Sequence, residues 1–389
     1  EIIMMGAMIA YRQHRQSPPM DIQKATPLLG GLSPEQFMRR HWQKKPLLIR
    51  QAIPGFEPPL PRSELFALAG REGVESRLIE RGAGGWSLRQ GPFERRALPA
   101  IKRPGWTLLV QGLDLHVQAA HELLQRFRFV PDARLDDLMI SWASEGGGVG
   151  PHFDSYDVFL LQASGQRRWR IGRQKDLTLQ PDVPLKILQN FEPEEEHVLE
   201  AGDMLYLPPR WAHDGDALGE DCMTYSIGFR APQRGGLAGE LLQRMADELD
   251  DETLYRDPAQ PATAHPGAMP EGLEAFAVDA LQRLLAERQS LACALGEVMT
   301  EPKPRIFFDE AQGDWVVGAV RLDRRTRMMY DPRHVFINGE GFRAGGADAR
   351  LMQRLADERA LDARQVQRAS EGAQALLQDW FEAGWLHLV

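Results

Sequence analysis

His152-Phe-Asp154, with His213 far downstream, offers two imidazoles and one carboxylate. That trio is the facial ligand set of non-haem Fe(II) oxygenases, which leaves the opposite face of the metal open. On a β-strand, residues i and i+2 point to the same face, so His152 and Asp154 would share one. The third ligand must come from another strand. Gly202-Asp-Met-Leu-Tyr-Leu207-Pro208-Pro209 reads as a turn, a short apolar strand and a stop, which places His213 just past that strand, at its mouth. Alone, an H-x-D in a chain this long is noise, and so is one histidine after Pro-Pro. The order of several independent features is what carries the metal reading. Gly146–Pro151 is a flexible lead-in suited to close backbone approach to a ligand. Tyr156–Gln162 then reads as a strand, Ala163–Gln166 as a turn, and a second strand carries Arg167-Arg-Trp169-Arg-Ile171.

Alternation along that second strand puts Arg167, Trp169 and Ile171 on one face and Arg168 and Arg170 on the other. The face with Trp169 and Ile171 suits a barrel interior. A cation there is costly unless an anion pairs with it. A guanidinium offers two parallel donors, so a dicarboxylate co-substrate is the natural partner; a structural Asp or Glu is the alternative.

The run GGGVGPHFDSYDVFLLQASGQRRWRIG, followed by GDMLYLPPRWAH and YSIGFRAP and preceded by HWQKKPLLIRQAIPGF (His41–Phe56), resembles the bacterial ribosomal oxygenases of the JmjC/cupin superfamily. The similarity runs from about Met20 onward and is nearest the arginine hydroxylases that act on the sixteenth large-subunit ribosomal protein. The resemblance implies a mainly β catalytic core, a double-stranded β-helix of the JmjC/cupin kind. A helical middle region and a C-terminal α+β winged-helix-like domain would follow. By position, His152, Asp154 and His213 match the iron ligands and Arg167 the residue holding the distal carboxylate of 2-oxoglutarate. Ser141 and Ser226 lie where small polar contacts to that co-substrate fall. Fe(II), 2-oxoglutarate and O2 are the implied cofactors, with succinate released as a C–H bond is oxygenated. The protein's share is to fix geometry and exclude water. The chain departs from the wider cupins at Arg210, where glycine is usual, and no Asn follows His213. Three alternatives stay open: a histidine or lysine target on another protein, an RNA target, or a metal-binding cupin without oxygenase activity. Tyr156 and Asp157 are candidates for holding a target guanidinium.

The chain has 389 residues, room for two or three domains, and only two cysteines, Cys222 and Cys293, as suits a reducing cytoplasm. No apolar stretch approaches the roughly 20 residues needed to cross a bilayer. Within Glu1–Pro19, Gly6 interrupts a short apolar piece, and Arg12, His14 and Arg15 follow it. That is no leader pattern, Met20 reads as a more natural start, and a disordered tail over 1–19 is expected. The formal net charge of −9 argues against a nucleic-acid coat and suits a basic protein partner such as a ribosomal protein. Glu192, Glu194, Glu195 and Glu196 read as a solvated acidic run rather than a docking site.

Residues 20–232 carry the strand signals and every metal candidate, with a helix expected at Ser33–Gln43, N-capped by Ser33. Residues 233–300 are the helical region. Leu237, Leu241, Leu242 and Met245 begin it, then Leu273–Glu287 and Leu291–Met299, separated by the Pro- and Ala-rich loop Asp257–Pro270. In the resembled family these helices are associated with dimerisation, so a homodimer is expected. In 301–389, Ile306–Phe308, Trp315–Leu322 and Val335–Ile337 read as strands, Asn338-Gly339 as a tight turn, and Ala347–Ala356 and Gln374–Glu382 as helices. Arg321, Arg324, Arg325 and Arg327 form a basic cluster broken by Asp323. A structural or protein-docking role is expected for this part, not direct nucleic-acid binding.

Overall fold

The computed structural model describes residues 20–247 and 249–389, with the side chain of residue 288 left aside. The expected tail over 1–19 lies outside the described residues.

Ten strands form one antiparallel sheet: β1 (Leu47–Ile49), β2 (Ser76–Gly82), β3 (Gly85–Gln90), β4 (Trp106–Val110), β5 (Leu135–Ala143), β6 (His152–Phe153), β7 (Val158–Arg173), β8 (Glu195–Leu199), β9 (Met204–Leu207) and β10 (Trp211–Phe229). The path runs β1-β9-β7-β10-β5-β4-β2-β3, with β6 added to β10 and β8 to β7. The long strands β7 and β10 organise it. Their register shifts between Leu218 and Met223, where Gly165, Gly219 and Asp221 have positive φ. There the ladder bends. Beyond the bend β7 pairs with β8, before it with β9.

Alternation then builds two cores. Inside the folded sheet, Val158, Leu160, Leu205 and Leu207 from one half meet Trp169, Ile171 and Leu199 from the other. On the outer face, Phe159, Leu161, Met204, Tyr206, Ile227 and Phe229 pack under helices α1 (Pro34–Arg40), α2 (Arg62–Leu68) and α3 (Gln118–Gln125). Each such side chain contributes about 1.5–3 kcal/mol by leaving water. The outer cluster thus clamps the sheet that the inner face shapes.

Three helices follow, α4 (Arg234–Asp247), α5 (Glu271–Ala286) and α6 (Arg288–Thr300). The last unit holds β11 (Val320–Leu322), β12 (Met328–Tyr330), β13 (His334–Ile337), β14 (Glu340–Arg343), α7 (Gly346–Glu358), β15 (Ala360–Leu361), α8 (Ala363–Gln367), α9 (Glu371–Glu382) and β16 (Leu386–Leu388). Its two small sheets, β15-β11-β16 and β12-β13-β14, close over one core of helix and strand residues. A Cβ at Gly296 would overlap the Phe336 ring, so α6 lays its backbone directly on β13. Asn338-Gly339 is the expected tight turn, both with positive φ. No helix among the described residues is long and apolar enough to cross a membrane.

Several expectations are corrected. Ala163–Gln166 is not a turn, because β7 runs through it and only bends at Gly165. The helix expected over Ser33–Gln43 stops at Arg40, although Ser33 does cap it. Gln43 is drawn into the left-handed region, where its N–H donates to Tyr206 Oη at 2.8 Å. Ile306–Phe308 is no strand, and only Val320–Leu322 of the second expected strand forms. Both segments lack ladder partners, and Phe307 and Val316 point outward, so their β-branched and aromatic content had nothing to pair with. Outside these corrections, Arg321, Arg324, Arg325 and Arg327 are partly buried, and Arg325 is locked to Asp323 at 2.7 Å. The acidic run is exposed at Glu192, Glu194, Glu195 and Glu196, as a solvated run would be, with Glu194 and Glu196 pairing with Arg173 and Arg168.

Candidate metal centre

His152 and His213 are cross-strand partners, because two-residue β6 pairs with the start of β10. His213 therefore lies inside a strand, not at the mouth of the preceding one: β9 ends, Pro208-Pro209 turns the chain, and β10 begins at Trp211. The two rings are 4.2 Å apart between centroids. Asp154 follows β6 and brings Oδ2 to 3.6 Å from Nε2 of His213. One ligand atom from each of the three lies within 4.8 Å of the others.

Both imidazoles are oriented from behind. Nδ1 of His152 donates to the Gly150 carbonyl at 2.8 Å, and Nδ1 of His213 to that of Trp211 at 3.0 Å. Those bonds fix the tautomer that leaves each Nε2 with a free lone pair, the usual back-support of a metal-bound histidine. His213 is buried, and burial together with the neighbouring His152 pushes its pKa down to about 4. A neutral ring is the form that ligates.

The glycine run before His152 serves a different purpose from the one expected. A Cβ at Gly147 or Gly148 would collide with the carbonyl oxygens of Trp106 and Gly215. The lead-in is thus pressed against protein backbone, not opened toward a ligand. Gly215 also leaves room for the Trp169 ring, which a Cβ would meet at 2.6 Å. That ring lies 5.8 Å from His213, and the Arg167 guanidinium lies 5.6 Å from it on the same face.

Arg167 is 3 % exposed. Its Nε donates to Cys222 Sγ at 3.5 Å, while Nη2 is buried with no hydrogen-bond partner. No carboxylate among the described residues forms an ion pair with it, which removes the alternative of a structural Asp or Glu. Around it, Gln162 Nε2 donates to Cys222 Sγ at 3.4 Å and Thr224 Oγ1 donates to Gln162 Oε1 at 2.9 Å. Sequence reading missed this trio, and Cys222 registered only as a redox marker. Alternation along β10 from Ser226 back through Thr224 to Cys222 was the available signal.

Ser141 is buried on β5 opposite Thr224, to whose carbonyl its Oγ donates at 3.4 Å. Ser226 is half-buried, opposite Met139 of β5 and Leu160 of β7. Tyr156 is exposed beside Asp154, and desolvation and that carboxylate together raise its phenol pKa. Asp157 is a correction. It is fully buried on the opposite side of the backbone, accepting from Tyr206 Oη at 2.6 Å and Gln43 Nε2 at 3.0 Å, so it ties strands together and meets no substrate.

Residues 122–237 match the JmjC domain family and residues 279–387 the ROXA-like winged helix family. In sequence the chain is 42% identical over 235 residues to the ribosomal protein uL16 3-hydroxylase of Escherichia coli (strain K12), a stretch covering 59% of this chain and 61% of that protein. The sequence match thus spans about three fifths of that relative's length. The solved structure of E. coli YcfD superposes with a TM-score of 0.80 at 30% identity, covering 91% of this chain and 97% of that one. The structure of YcfD, described as a ribosomal oxygenase in complex with cobalt and 2-oxoglutarate, gives 0.79 and covers 92% and 98%.

Proposed function

From the premise that this chain belongs to the JmjC-type ribosomal oxygenases, we propose that it hydroxylates an arginine side chain of ribosomal protein uL16, using Fe(II), 2-oxoglutarate and O2. One observation carries the reading. An orphaned, buried guanidinium at Arg167 shares the barrel interior with the His152–Asp154–His213 cluster.

The residues fit the groups. His152, Asp154 and His213 would hold Fe(II) through two Nε2 atoms and a carboxylate oxygen, a borderline N/O set suited to that metal. Arg167 would take the distal carboxylate of 2-oxoglutarate with its free Nη2, converting an uncompensated charge into a charge-assisted pair. Ser141 and Ser226, on the neighbouring strands, would supply polar contacts to the co-substrate. When bound, iron with 2-oxoglutarate and O2 supplies the oxidising power that places oxygen into an unactivated C–H bond. The chain's own contribution is orientation. Backbone carbonyls fix both imidazoles, Trp169 fills the space between Arg167 and His213, and the apolar walls Val158, Leu160 and Ile171 keep bulk water out.

The net charge of −9 suits capture of a basic ribosomal protein, and the cytoplasm is where such a target is met. We take residues 20–232 as the catalytic unit, 233–300 as the helical region and 301–389 as the winged helix. A homodimer through the helical region is supported by α5, which leaves Val278, Leu281 and Leu285 exposed at helical spacing.

The test is incubation of the purified protein with uL16, Fe(II), 2-oxoglutarate and O2, reading succinate and peptide masses. Succinate should form in step with one oxygen gained on an arginine. No succinate would defeat the oxygenase reading, while oxygen on a histidine or lysine would replace the arginine assignment.

A further inference from the structure

A cavity of about 70 Å³, lined by both charged and apolar side chains, lies in the seam where the winged helix meets α3 and the start of β5. That is room for one five-atom oxyanion or several waters. The seam is firmly made. Arg128 donates to the Asp357 and Ala356 carbonyls at 2.5 and 2.8 Å, and Arg324 Nε to the Leu115 carbonyl at 2.8 Å.

The charges lining the cavity do not cancel. Asp132 is bound by both arms of Arg128, Lys303 is shared by Asp136 and Asp137 at 3.0 and 3.1 Å, Arg230 also pairs with Asp136, and Arg325 is held by Asp323. Asp114 is pushed up to about 7 by burial and by neighbouring Asp137, which weakens the negative charge it brings to the cavity. What remains is Arg324, Arg327 and Arg359, none in an ion pair among the described residues. Arg359 is 8 % exposed and donates to the backbone carbonyls of Asp323 and Thr326 at 2.7 and 3.0 Å. It stands at the end of α7 with a left-handed φ of 57°, where glycine is usual. Arg327 Nε and His121 Nδ1 are buried without hydrogen-bond partners, and His121 is 8 % exposed. Burial and neighbouring cations push Arg327 and Arg359 down to about 10 and hold His121 well below its usual range. Buried like charges with orphaned donors are tolerated when an anion completes them.

We propose that this cavity binds one small oxyanion of the orthophosphate class, held by Arg324, Arg327, Arg359 and His121, and that its occupancy fastens the winged helix to the catalytic unit. Three guanidinium groups lining one cavity match the several acceptor oxygens of a tetrahedral anion better than the two of a carboxylate. A divalent anion also offsets more of the excess charge than chloride does. The site is independent of the iron chemistry, since it uses none of the residues assigned to that centre.

The experiment titrates inorganic phosphate into the full chain at constant ionic strength, balanced with chloride, following Tm and heat of binding. It is run in an Arg167→Ala background so that the other anion-seeking arginine is silent. The expected result is a saturable rise in Tm and single-site binding. Affinity should fall at least tenfold in Arg327→Ala and be partly restored in Arg327→Lys. Should Arg327→Ala fail to fold, the half-exposed Arg324→Ala serves in its place, with the same expected loss. A shift reproduced by chloride alone, or phosphate affinity unchanged in these variants, overturns the proposal.

Discussion

The thiol of Cys222 lies 3.5 Å from Nε of Arg167, at the end of a hydrogen-bonded chain that runs back through Gln162 to Thr224. Neutral, weakly accepting groups therefore position the guanidinium without neutralising it. The positive charge has no ion-pair partner among the described residues.

Replacing Arg167 by alanine should raise the KM for 2-oxoglutarate roughly 10- to 100-fold with a smaller change in kcat, since a hydrogen-bonded charge pair contributes about 1.5–3 kcal/mol. Without co-substrate the sign reverses for stability. Arg167→Met removes an uncompensated buried cation and should leave the Tm of the ligand-free protein unchanged or higher. Steady-state kinetics and a melting curve check the two halves separately.

Asp154 is 20 % exposed on its side chain and joins no apolar cluster. Asp154→Ala should abolish metal binding, read by equilibrium dialysis with Co(II), while the circular dichroism spectrum and Tm of the metal-free protein stay near the parent's. Full metal binding by this variant would remove the carboxylate from the ligand set.

His213 carries a pH dependence whose sign follows from its depressed pKa of about 4. The unfolded chain, with an ordinary value of about 6.5, takes up a proton first as pH falls. Between those two values the unfolded state binds more protons, so stability of the metal-free protein should fall as pH drops from about 6.5 toward 4. His213→Gln should flatten that part of the profile. Denaturant midpoints at several pH values measure it.

Val278, Leu281 and Leu285 are exposed on α5. If they are an interface, Leu281→Glu with Leu285→Glu should convert a dimer to a monomer in sedimentation velocity while the melting of the β core is retained. A parent that sediments as a monomer would contradict the dimer outright.

The proposed ligand trio was legible because its spacing is a local fact: an H-x-D whose His opens β6 and whose Asp lies just past it, a histidine beyond a Pro-Pro stop, and Arg167 in phase with Trp169 and Ile171. What stayed hidden depends on pairing. Nothing in the sequence says that β7 continues through Gly165, because a bend and a turn use the same residues, and the choice is made by β10 bending opposite. Nor does composition say that Asp157 faces Tyr206 rather than a substrate, since one step along a strand reverses the face. The segments at Ile306–Phe308 and Trp315–Gly318 had strand-forming residues but no ladder partner among the described residues. The basic cluster at Arg321–Arg327 left a structural and a docking role open, and its placement depends on the seam with α3, which folds much of it inward.

The most direct measurement is mass spectrometry of ribosomal protein uL16 from cells with and without this chain, and from cells carrying His152→Ala. One arginine should bear the mass of a single oxygen only where the intact chain is present. Modification that persists in the His152→Ala cells, or uL16 of identical mass in all three, would contradict an oxygenase built on these residues.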